Sequence, residues 1–261
     1  YSLLILSNIL MFDVIDNVYN STMKDTQIEM ASEIIKKQEE QYRQALRQRE
    51  RRIPLQQITG EQEFMGLSFY VNGQVLIPRQ DTEVLVEETA KFLKDDMRFL
   101  DLCTGSGCIL LSLSHLRPGA EGTGADLSPE ALKVAERNRE RLGAKAELIE
   151  SDLFDKIEGA FDVIVSNPPY IKSEEIGTLM DEVRLHEPHM ALDGHEDGLY
   201  FYRKIAEEAP KYLRAGGGLF LEIGCDQGEN VSELLRKQGF QDVKVVKDLA
   251  GLNRVVKGFY K

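Results

Sequence analysis

The sequence has few cysteines, no excess of positive charge and no apolar run of membrane-spanning length, and each shortage excludes a class of protein. The cysteines are odd in number and show no CxxC spacing: Cys103, Cys108 and Cys225. They predict neither a disulfide framework nor a metal site, and a reducing cytoplasm fits this usage. The formal net charge of −12 argues against a protein that holds duplex nucleic acid by phosphate contacts alone.

The one apolar run that resembles a targeting segment is YSLLILSNILMF, at residues 1–12. It is too short to span a bilayer, no basic residues precede it, and no small-residue cleavage site follows. Leu3, Leu6 and Leu10 fall at helical spacing, which predicts an amphipathic or buried helix. We therefore expect a cytoplasmic protein without membrane association. Because the chain starts at Tyr1, we also expect further residues to precede it.

Composition divides the chain into three predicted parts, at residues 1–54, 55–80 and 81–261. The first part is rich in Glu, Gln, Lys and Arg, which favour helices, and it predicts a small helical N-terminal domain with a turn near Asn17–Thr22. Its basic run at Arg43–Arg52 is interpreted as a solvated helix face. A docking face for an acidic or nucleic-acid-bearing partner is the alternative.

The second part, residues 55–80, predicts a β-hairpin linker. Two apolar runs, Leu67–Val71 and Val75–Ile77, lie on either side of Asn72-Gly73. Asn-Gly between apolar runs is a strong signal for a tight hairpin turn, because both residues tolerate positive φ. We therefore expect these two runs to pair with each other.

The third part, residues 81–261, predicts an α/β fold. Asp81 or Thr82 can cap a first helix that runs to about Lys94. From Arg98 onward, apolar strand-like runs alternate with helical segments, which is typical of a parallel sheet with crossover helices. The predicted strands are Phe99–Leu102, Gly122–Asp126, Ala146–Glu150, Phe161–Ser166, Gly218–Ile223, Val243–Val246 and Arg254–Phe259. The predicted helices are Ile109–His115, one capped by Ser128, Leu199–Leu213 and Asn230–Gln238.

A glycine-rich turn after the first of these strands predicts a ligand site. Two glycines in the segment from Asp101 to Gly107 let the backbone approach a ligand and present N–H groups to it. Leu110 stands where a dinucleotide fingerprint needs a third glycine, and no GK[ST] sequence follows, so an adenosine ligand without a pyrophosphate is expected. Asp126 is placed to accept ribose hydroxyls, and Asp152 to meet the adenine amino group. The candidates are Cys103, Thr104, Gly105, Ser106, Gly107, Asp126, Asp152 and Leu153.

The strand Phe161–Ser166 ends in the sequence Asn-Pro-Pro-Tyr, which predicts a second site. The two prolines lack N–H groups and stop the strand, leaving a stiff loop at its carboxyl end. There the side-chain oxygen of Asn167 and the carbonyl of Pro168 can hold both N–H bonds of a planar nitrogen, while Tyr170 either stacks on it or lines the path of the methyl group. Adenine, cytosine and a glutamine amide all fit this chemistry.

The GxG turn, the two aspartates and NPPY follow successive strands, and this order resembles the seven-stranded class I S-adenosylmethionine-dependent methyltransferases. From about Arg49 to the C-terminus the chain more narrowly resembles the HemK/PrmC-type glutamine methyltransferases that act on peptide-chain release factors. The segments that carry this resemblance are LIPRQDTE (76–83), DLCTGSG (101–107), SNPPYI (166–171), HEPHMALDG (186–194), LEIGCDQG (221–228) and KDLAGLNRVV (247–256).

This resemblance implies a Rossmann-like sheet, S-adenosyl-L-methionine as the methyl donor and S-adenosyl-L-homocysteine as the product. It implies catalysis by Asn167, Pro168 and Tyr170, acceptor binding by the same residues with Pro169, and donor contact by Asn167. The acceptor would be the glutamine in the GGQ loop of bacterial release factors, so the modification would modulate translation termination. The helical N-terminal domain would help to bind that partner, and a monomer that needs no nucleic acid is expected.

Three alternatives share parts of this pattern. A DNA or RNA amino-methyltransferase, acting on adenine N6 or cytosine N4, uses the same NPPY chemistry but normally has a basic cleft. A methyltransferase for a ribosomal-protein glutamine tends to carry an IPRS variant in place of IPRQDTE. A regulatory module that only binds the donor would have no evident use for NPPY. The loop from His186 to His195 lacks standard metal-ligand spacing and is interpreted as polar surface, not a metal site. The family resemblance implies that this loop closes over the acceptor pocket.

Overall fold

The computed structural model describes residues 25–261, which fall into two compact units that divide between Ile53 and Pro54. In the first unit, helix α1 spans Asp25–Glu50. Its helical state matches the prediction for this stretch, whereas the prediction for residues 1–24 lies outside the described residues. No helix between residues 25 and 261 is both long and apolar enough to cross a membrane.

The second unit contains a two-stranded hairpin and a seven-stranded sheet. The strands are β1 (Glu61–Phe64), β2 (Leu67–Tyr70), β3 (Arg98–Leu102), β4 (Glu121–Asp126), β5 (Ala146–Glu150), β6 (Phe161–Ser166), β7 (Leu213–Glu222), β8 (Gln241–Lys247) and β9 (Asn253–Phe259). The helices are α2 (Leu55–Thr59), α3 (Glu83–Ala90), α4 (Cys108–Leu116), α5 (Pro129–Leu142), α6 (Ser173–Ile176), α7 (Asp181–Arg184), α8 (Tyr200–Tyr212) and α9 (Gly228–Lys237). Two 3-10 turns cover Gln80–Thr82 and His189–Ala191.

The strand order of the large sheet determines where a ligand can bind. The order is β5-β4-β3-β6-β7-β9-β8, with only the β7–β9 and β8–β9 pairs antiparallel. This mixed, Rossmann-like sheet confirms the predicted α/β fold. The chain builds outward from β3 to β5 and then returns to the other side of β3 with β6. A crevice opens at the carboxyl ends of strands where the order reverses in this way, here between β3 and β6.

The core lies on both faces of the sheet. In β6, Ile164 packs into a cluster with α8 and α9, whereas Val163 and Val165 pack into a cluster with α3 and α4. Burial on both faces explains why this strand reads as a continuous apolar run and not as an alternation. Helix α5 begins as predicted, because the Ser128 hydroxyl accepts a hydrogen bond from the backbone N–H of Ala131 at 3.2 Å.

The predicted hairpin at Asn72-Gly73 is wrong. The strand at Leu67–Tyr70 pairs with the preceding Glu61–Phe64, and the turn is Met65-Gly66, with φ values of 52° and 73°. The N–H of Met65 donates to the Glu83 carboxylate at 2.7 Å, which holds this turn in place. The Asn72 side chain instead accepts the N–H of Gln74 at 2.9 Å, a local turn that needs no second strand.

Residues 55–80, expected to form a linker, contribute to the core of the second unit. Phe64 and Phe69 are buried with Leu85 and Phe99, and their rings meet edge to face at 6.1 Å between centroids. The hairpin is therefore packed against the sheet domain through large apolar side chains.

The expected cap of the next helix is also wrong. A 3-10 turn precedes α3, neither Asp81 nor Thr82 makes a side-chain cap bond, and the helix ends at Ala90 instead of near Lys94. The 3-10 turn already places Thr82 in a helical conformation, so its hydroxyl cannot fold back onto the next N–H groups. Asp81 instead pairs with Arg254 at 3.2 Å.

Candidate active site

The glycine-rich turn between β3 and α4 is shaped by three residues with positive φ: Cys103 at 58°, Gly105 at 55° and Gly107 at 78°. Asp101, fully buried in β3, fixes this turn from below. Its Oδ2 accepts the Thr104 hydroxyl at 2.6 Å and the N–H of Leu110 at 3.1 Å. The loop and the start of α4 are thus tied to one carboxyl group.

The Asp101 carboxyl is itself unusual. Burial raises its pKa to about 7, and the two hydrogen bonds from Thr104 and Leu110 only partly oppose this. Its Oδ1 is buried and has no hydrogen-bond partner among the described residues.

Asp126, at the end of β4, faces the same turn. Its Oδ2 accepts the N–H of Gly105 at 2.8 Å, and its Oδ1 accepts the N–H of Ser128 at 2.9 Å. Burial raises the pKa of Asp126, and these backbone bonds oppose the rise. Gly105 and Asp126 lie 21 positions apart in the sequence, and the parallel pairing of β3 with β4 brings them into direct contact.

The NPPY loop leaves β6 beside this turn, because β6 is the other neighbour of β3. The Ser166 hydroxyl donates to the Leu102 carbonyl at 2.7 Å and ties the two strand ends together. Asn167 Nδ2 donates to the Thr82 hydroxyl at 3.4 Å, and the Tyr170 hydroxyl donates to Glu222 Oε1 at 3.4 Å. The glycine-rich turn and the NPPY loop thus share one edge of the sheet.

One cavity joins these groups. Among the sequence candidates, its walls include Cys103, Thr104, Gly105, Ser106, Asp126, Asp152, Leu153, Asn167 and Pro169. The walls formed by the described residues do not include Gly107, Pro168 or Tyr170; Pro168 is buried and Tyr170 is half-buried behind them. Polar loop backbone, two carboxylates and apolar side chains such as Ile109 and Leu127 fit a nucleoside joined to an amino-acid chain.

Comparison with known proteins agrees with this geometry. Residues 80–187 match the family described as the methyltransferase small domain. A release factor glutamine methyltransferase from Geobacter sulfurreducens is 47% identical over 211 residues, covering 80% of this chain and 74% of that protein. One from Clostridium acetobutylicum is 43% identical, covering 83% and 78%. The chain belongs to the release factor glutamine methyltransferase family.

Solved structures show the same fold. A methyltransferase from Pyrococcus furiosus superposes with a TM-score of 0.58 at 23% identity, covering 74% of this chain and 89% of that one. At that identity the similarity supports only the shared arrangement of the sheet and its helices. In this member of the release factor glutamine methyltransferase family, both the order of the sequence motifs and the order of the strands are those of a methyltransferase fold.

Asn138 on α5 is a supporting residue that sequence reasoning missed. Its Nδ2 donates to the carbonyls of Ser106 at 2.9 Å and Tyr70 at 3.0 Å, and its Oδ1 accepts the N–H of Tyr70 at 2.7 Å. It clamps the glycine-rich turn to the hairpin strand β2. A sequence signal existed, because Asn138 falls at helical spacing with the apolar residues Ala131, Val134 and Ala135, and a polar residue on the buried face of a helix needs specific partners.

A second missed support holds the NPPY loop. Gln227 Nε2 donates to the Tyr170 carbonyl at 3.0 Å and to the Gly198 carbonyl at 3.2 Å. Beyond the loop, the Gly194 N–H donates a backbone hydrogen bond to the Ile171 carbonyl at 2.7 Å. At Gly198, where φ is 71°, an added Cβ would lie 2.5 Å from the Tyr170 oxygen, so only glycine fits.

The loop from His186 to His195 is fastened near the cavity by an ion pair whose carboxylate is buried. Arg79 Nη2 contacts the Glu187 carboxylate at 2.6 and 2.8 Å, and the Glu187 side chain is 1% exposed. Burial raises the pKa of Glu187, while Arg79 opposes the rise. The described part of the chain contains no group of three His, Cys, Asp or Glu side chains arranged for a metal ion.

Proposed function

We propose that this protein transfers a methyl group from S-adenosyl-L-methionine to the side-chain amide nitrogen of the GGQ-loop glutamine in a bacterial release factor. The observation that carries the proposal is the single cavity that contains both the glycine-rich turn and Asn167 of the NPPY loop. A methyl donor and a planar nitrogen acceptor need adjacent sites, and the β3–β6 neighbourhood supplies them. S-adenosyl-L-homocysteine would be the other product, and the amide nitrogen would lose one of its two protons to solvent.

The donor half is assigned to the turn and to two aspartates. When bound, S-adenosyl-L-methionine supplies a methyl group on a positively charged sulfonium. Backbone N–H groups near Gly105, the Asp126 carboxylate and the Asp152 carboxylate line the walls that would hold its nucleoside. Asp126 keeps its carboxyl group oriented through the Gly105 and Ser128 N–H bonds, so it is preorganised for ribose hydroxyls.

The acceptor half is assigned to the NPPY loop. An amide nitrogen is a poor nucleophile because its lone pair is delocalised into the carbonyl. Asn167 Oδ1 and the Pro168 carbonyl would accept the two N–H bonds of the glutamine amide and direct the lone pair towards the methyl group. Positioning of this kind can contribute several kcal/mol, within the roughly 7–11 kcal/mol attainable from orientation. The same two oxygens favour the positive charge that develops on nitrogen.

The choice of a release factor over a nucleic acid is supported by the names of the relatives and by charge. The relatives from Geobacter sulfurreducens and Clostridium acetobutylicum are both named release factor glutamine methyltransferases. The net charge of −12 provides no general attraction for phosphate. We further propose that α1, in the first unit, contributes to binding the release factor, that the protein acts as a monomer in the cytoplasm, and that it needs no nucleic acid.

The test is a transfer assay with methyl-labelled S-adenosyl-L-methionine and three separate acceptors. These are a bacterial release factor, the same factor with its GGQ glutamine replaced by alanine, and duplex DNA. We expect label on the first acceptor only, located by mass spectrometry on the glutamine side chain. Label on DNA alone, or equal label on the alanine variant, would overturn the proposal.

A further inference from the structure

Gln227 is a buried carboxamide whose two ends are both bonded to backbone groups. It directly precedes α9 and is 7% exposed. Its Nε2 donates to the Tyr170 carbonyl at 3.0 Å and to the Gly198 carbonyl at 3.2 Å. Its Oε1 accepts the N–H of Gly224 at 2.9 Å. Both N–H bonds and the oxygen of the carboxamide are therefore in use inside the protein.

These partners determine which end of the Gln227 carboxamide faces the NPPY loop. A backbone carbonyl can only accept a hydrogen bond, and a backbone N–H can only donate one. The reversed carboxamide would place its oxygen against two carbonyls and its NH2 group against an N–H. The contact with Tyr170 therefore needs a donor at this place, and a side chain of similar size without a donor cannot make it.

The peptide unit that follows Tyr170 is held at both of its polar groups. Gln227 holds the Tyr170 carbonyl, and the N–H of Ile171 donates to the Leu192 carbonyl at 3.0 Å. Because a peptide unit is planar, two hydrogen bonds on opposite sides fix the orientation of the whole plane. The far end of the NPPY loop therefore has a defined direction.

Two glycines enclose the same backbone. A Cβ added at Gly194 would lie 2.7 Å from the Tyr170 Cα, and one added at Gly198 would lie 2.5 Å from the Tyr170 oxygen. Neither position leaves room for Tyr170 to shift towards it. The hydrogen bond from Gln227 thus acts on a segment that is already closely packed.

The near end of the NPPY loop is also fixed. The Ser166 hydroxyl donates to the Leu102 carbonyl at 2.7 Å, where β6 ends. Pro168 and Pro169 lie between the two fixed ends, and their rings lock two of the φ angles of the loop. With so few free torsions left, the orientation of the peptide after Tyr170 constrains the direction of the Pro168 carbonyl.

We propose that Gln227 is a positioning residue for methyl transfer. Through the Tyr170 carbonyl, it holds the NPPY loop in the conformation that directs the Pro168 carbonyl at the acceptor nitrogen. Among the described residues, Gln227 is not part of the cavity wall, so it acts through the loop and not on a ligand. The proposal deepens the proposed function and rests on it, because this direction matters only if Pro168 accepts an N–H from the acceptor.

The test uses two variants of Gln227 and one control in the same region. Q227M keeps an unbranched side chain of similar length and removes both the donor and the acceptor. Q227N keeps the amide but is one methylene shorter, so it cannot reach Gly224 and Tyr170 together.

The control is Y202F. Tyr202 is fully buried, and its hydroxyl donates to the Glu222 carbonyl at 2.9 Å and lies 3.4 Å from Gln227 Oε1. Within residues 25–261 this hydroxyl makes no hydrogen bond to the NPPY loop. Y202F therefore removes a buried hydrogen bond beside Gln227 and leaves the Tyr170 carbonyl in place.

Turnover is measured at saturating donor and release factor, below the lowest Tm of the set. We expect it to fall roughly tenfold or more in Q227M and Q227N, and to stay within about threefold of wild type in Y202F. Donor affinity should stay within about twofold in all three, because the glycine-rich turn is unchanged. If Q227M does not fold, Q227N gives the same comparison. Wild-type turnover in the Gln227 variants would overturn the proposal, as would equal losses in these variants and Y202F, which indicate a merely structural role.

A second readout needs no acceptor and keeps this proposal distinct from the proposed function. Tyr170-Ile171 is the only Tyr-Ile pair in the sequence, so ¹³C-carbonyl tyrosine with ¹⁵N isoleucine labels this one peptide for NMR. Its resonance should shift in Q227M and Q227N and stay near the wild-type position in Y202F. An unmoved resonance in both Gln227 variants would overturn the positioning proposal. Absence of release factor methylation by wild type would instead overturn the proposed function.

Discussion

Replacing Asn138 with alanine should loosen the glycine-rich turn and destabilise the sheet domain together. The side chain is fully buried, and its amide makes three hydrogen bonds with the backbone of Tyr70 and Ser106. Alanine removes all three and leaves one N–H and two carbonyl groups without these partners. The two elements it joins, the hairpin strand β2 and the glycine-rich turn, then lose their direct polar connection.

The size of the effect follows from these contacts. Each net hydrogen bond is worth about 1 kcal/mol, and a buried backbone group left without a partner costs about 1–3 kcal/mol. Some relaxation and water entry reduce the sum, so we expect Asn138→Ala to lower the free energy of unfolding by about 3–4 kcal/mol. At roughly 2–4 °C per kcal/mol for a domain of this size, the Tm should fall by about 10 °C.

The assay is thermal and urea unfolding with Asn253→Ala as the control. Asn253 also donates its amide to a backbone carbonyl, that of Cys225 at 3.2 Å, but at an exposed site, so its loss should cost under about 1 kcal/mol. Donor affinity, measured by calorimetry below the Tm, should fall in the Asn138 variant only. A Tm within about 2 °C of wild type would refute the reasoning that Asn138 is a clamp.

Three further changes test the site. Asn167→Ala should keep donor affinity within about twofold while abolishing transfer, because the glycine-rich turn, Asp126 and Asp152 would still hold the donor whereas the grip on the acceptor amide is lost; full activity would contradict its role. Asp126→Ala should weaken donor binding by about 10–100-fold in calorimetry, the equivalent of one or two charge-assisted hydrogen bonds, and unchanged binding would contradict the ribose assignment. Gly198→Ala should displace the Tyr170 backbone and lower both Tm and turnover; a crystal structure with an unmoved loop would disprove this.

The central strands β3 and β6 were predictable because they are buried on both faces and therefore read as short apolar runs. The predicted bounds of β5 and β6, Ala146–Glu150 and Phe161–Ser166, agree with the structure. The loops at the strand ends were marked by glycine and proline, whose backbone restrictions can be read directly from sequence. Strand order does not follow from these local patterns, and it is the order that brings the residues after β3 and β6 together.

The hairpin was not predictable because its turn uses Met65 at positive φ, which sequence patterns do not favour. Asn72-Gly73 has the stronger local signal, yet the chain beyond it runs along the cavity wall at Gln74, Val75 and Leu76 instead of returning to β2. Tertiary packing of Phe64 and Phe69 decides the pairing, and a local turn signal contains no information about that packing.

A buried carboxyl group lies behind each half of the site, which explains why acidic residues occur in the most apolar part of the protein. Asp101 in β3 is tied to the glycine-rich turn, and Glu222 in β7 lies behind the NPPY loop. Each is fully buried or nearly so, each has a pKa raised to about 7 by burial, and each keeps one oxygen without a partner among the described residues. A core selected for stability alone would replace both carboxyl groups with apolar side chains. Their place at the carboxyl edge of the sheet, one on each side of β6, therefore indicates selection for loops held in a defined orientation.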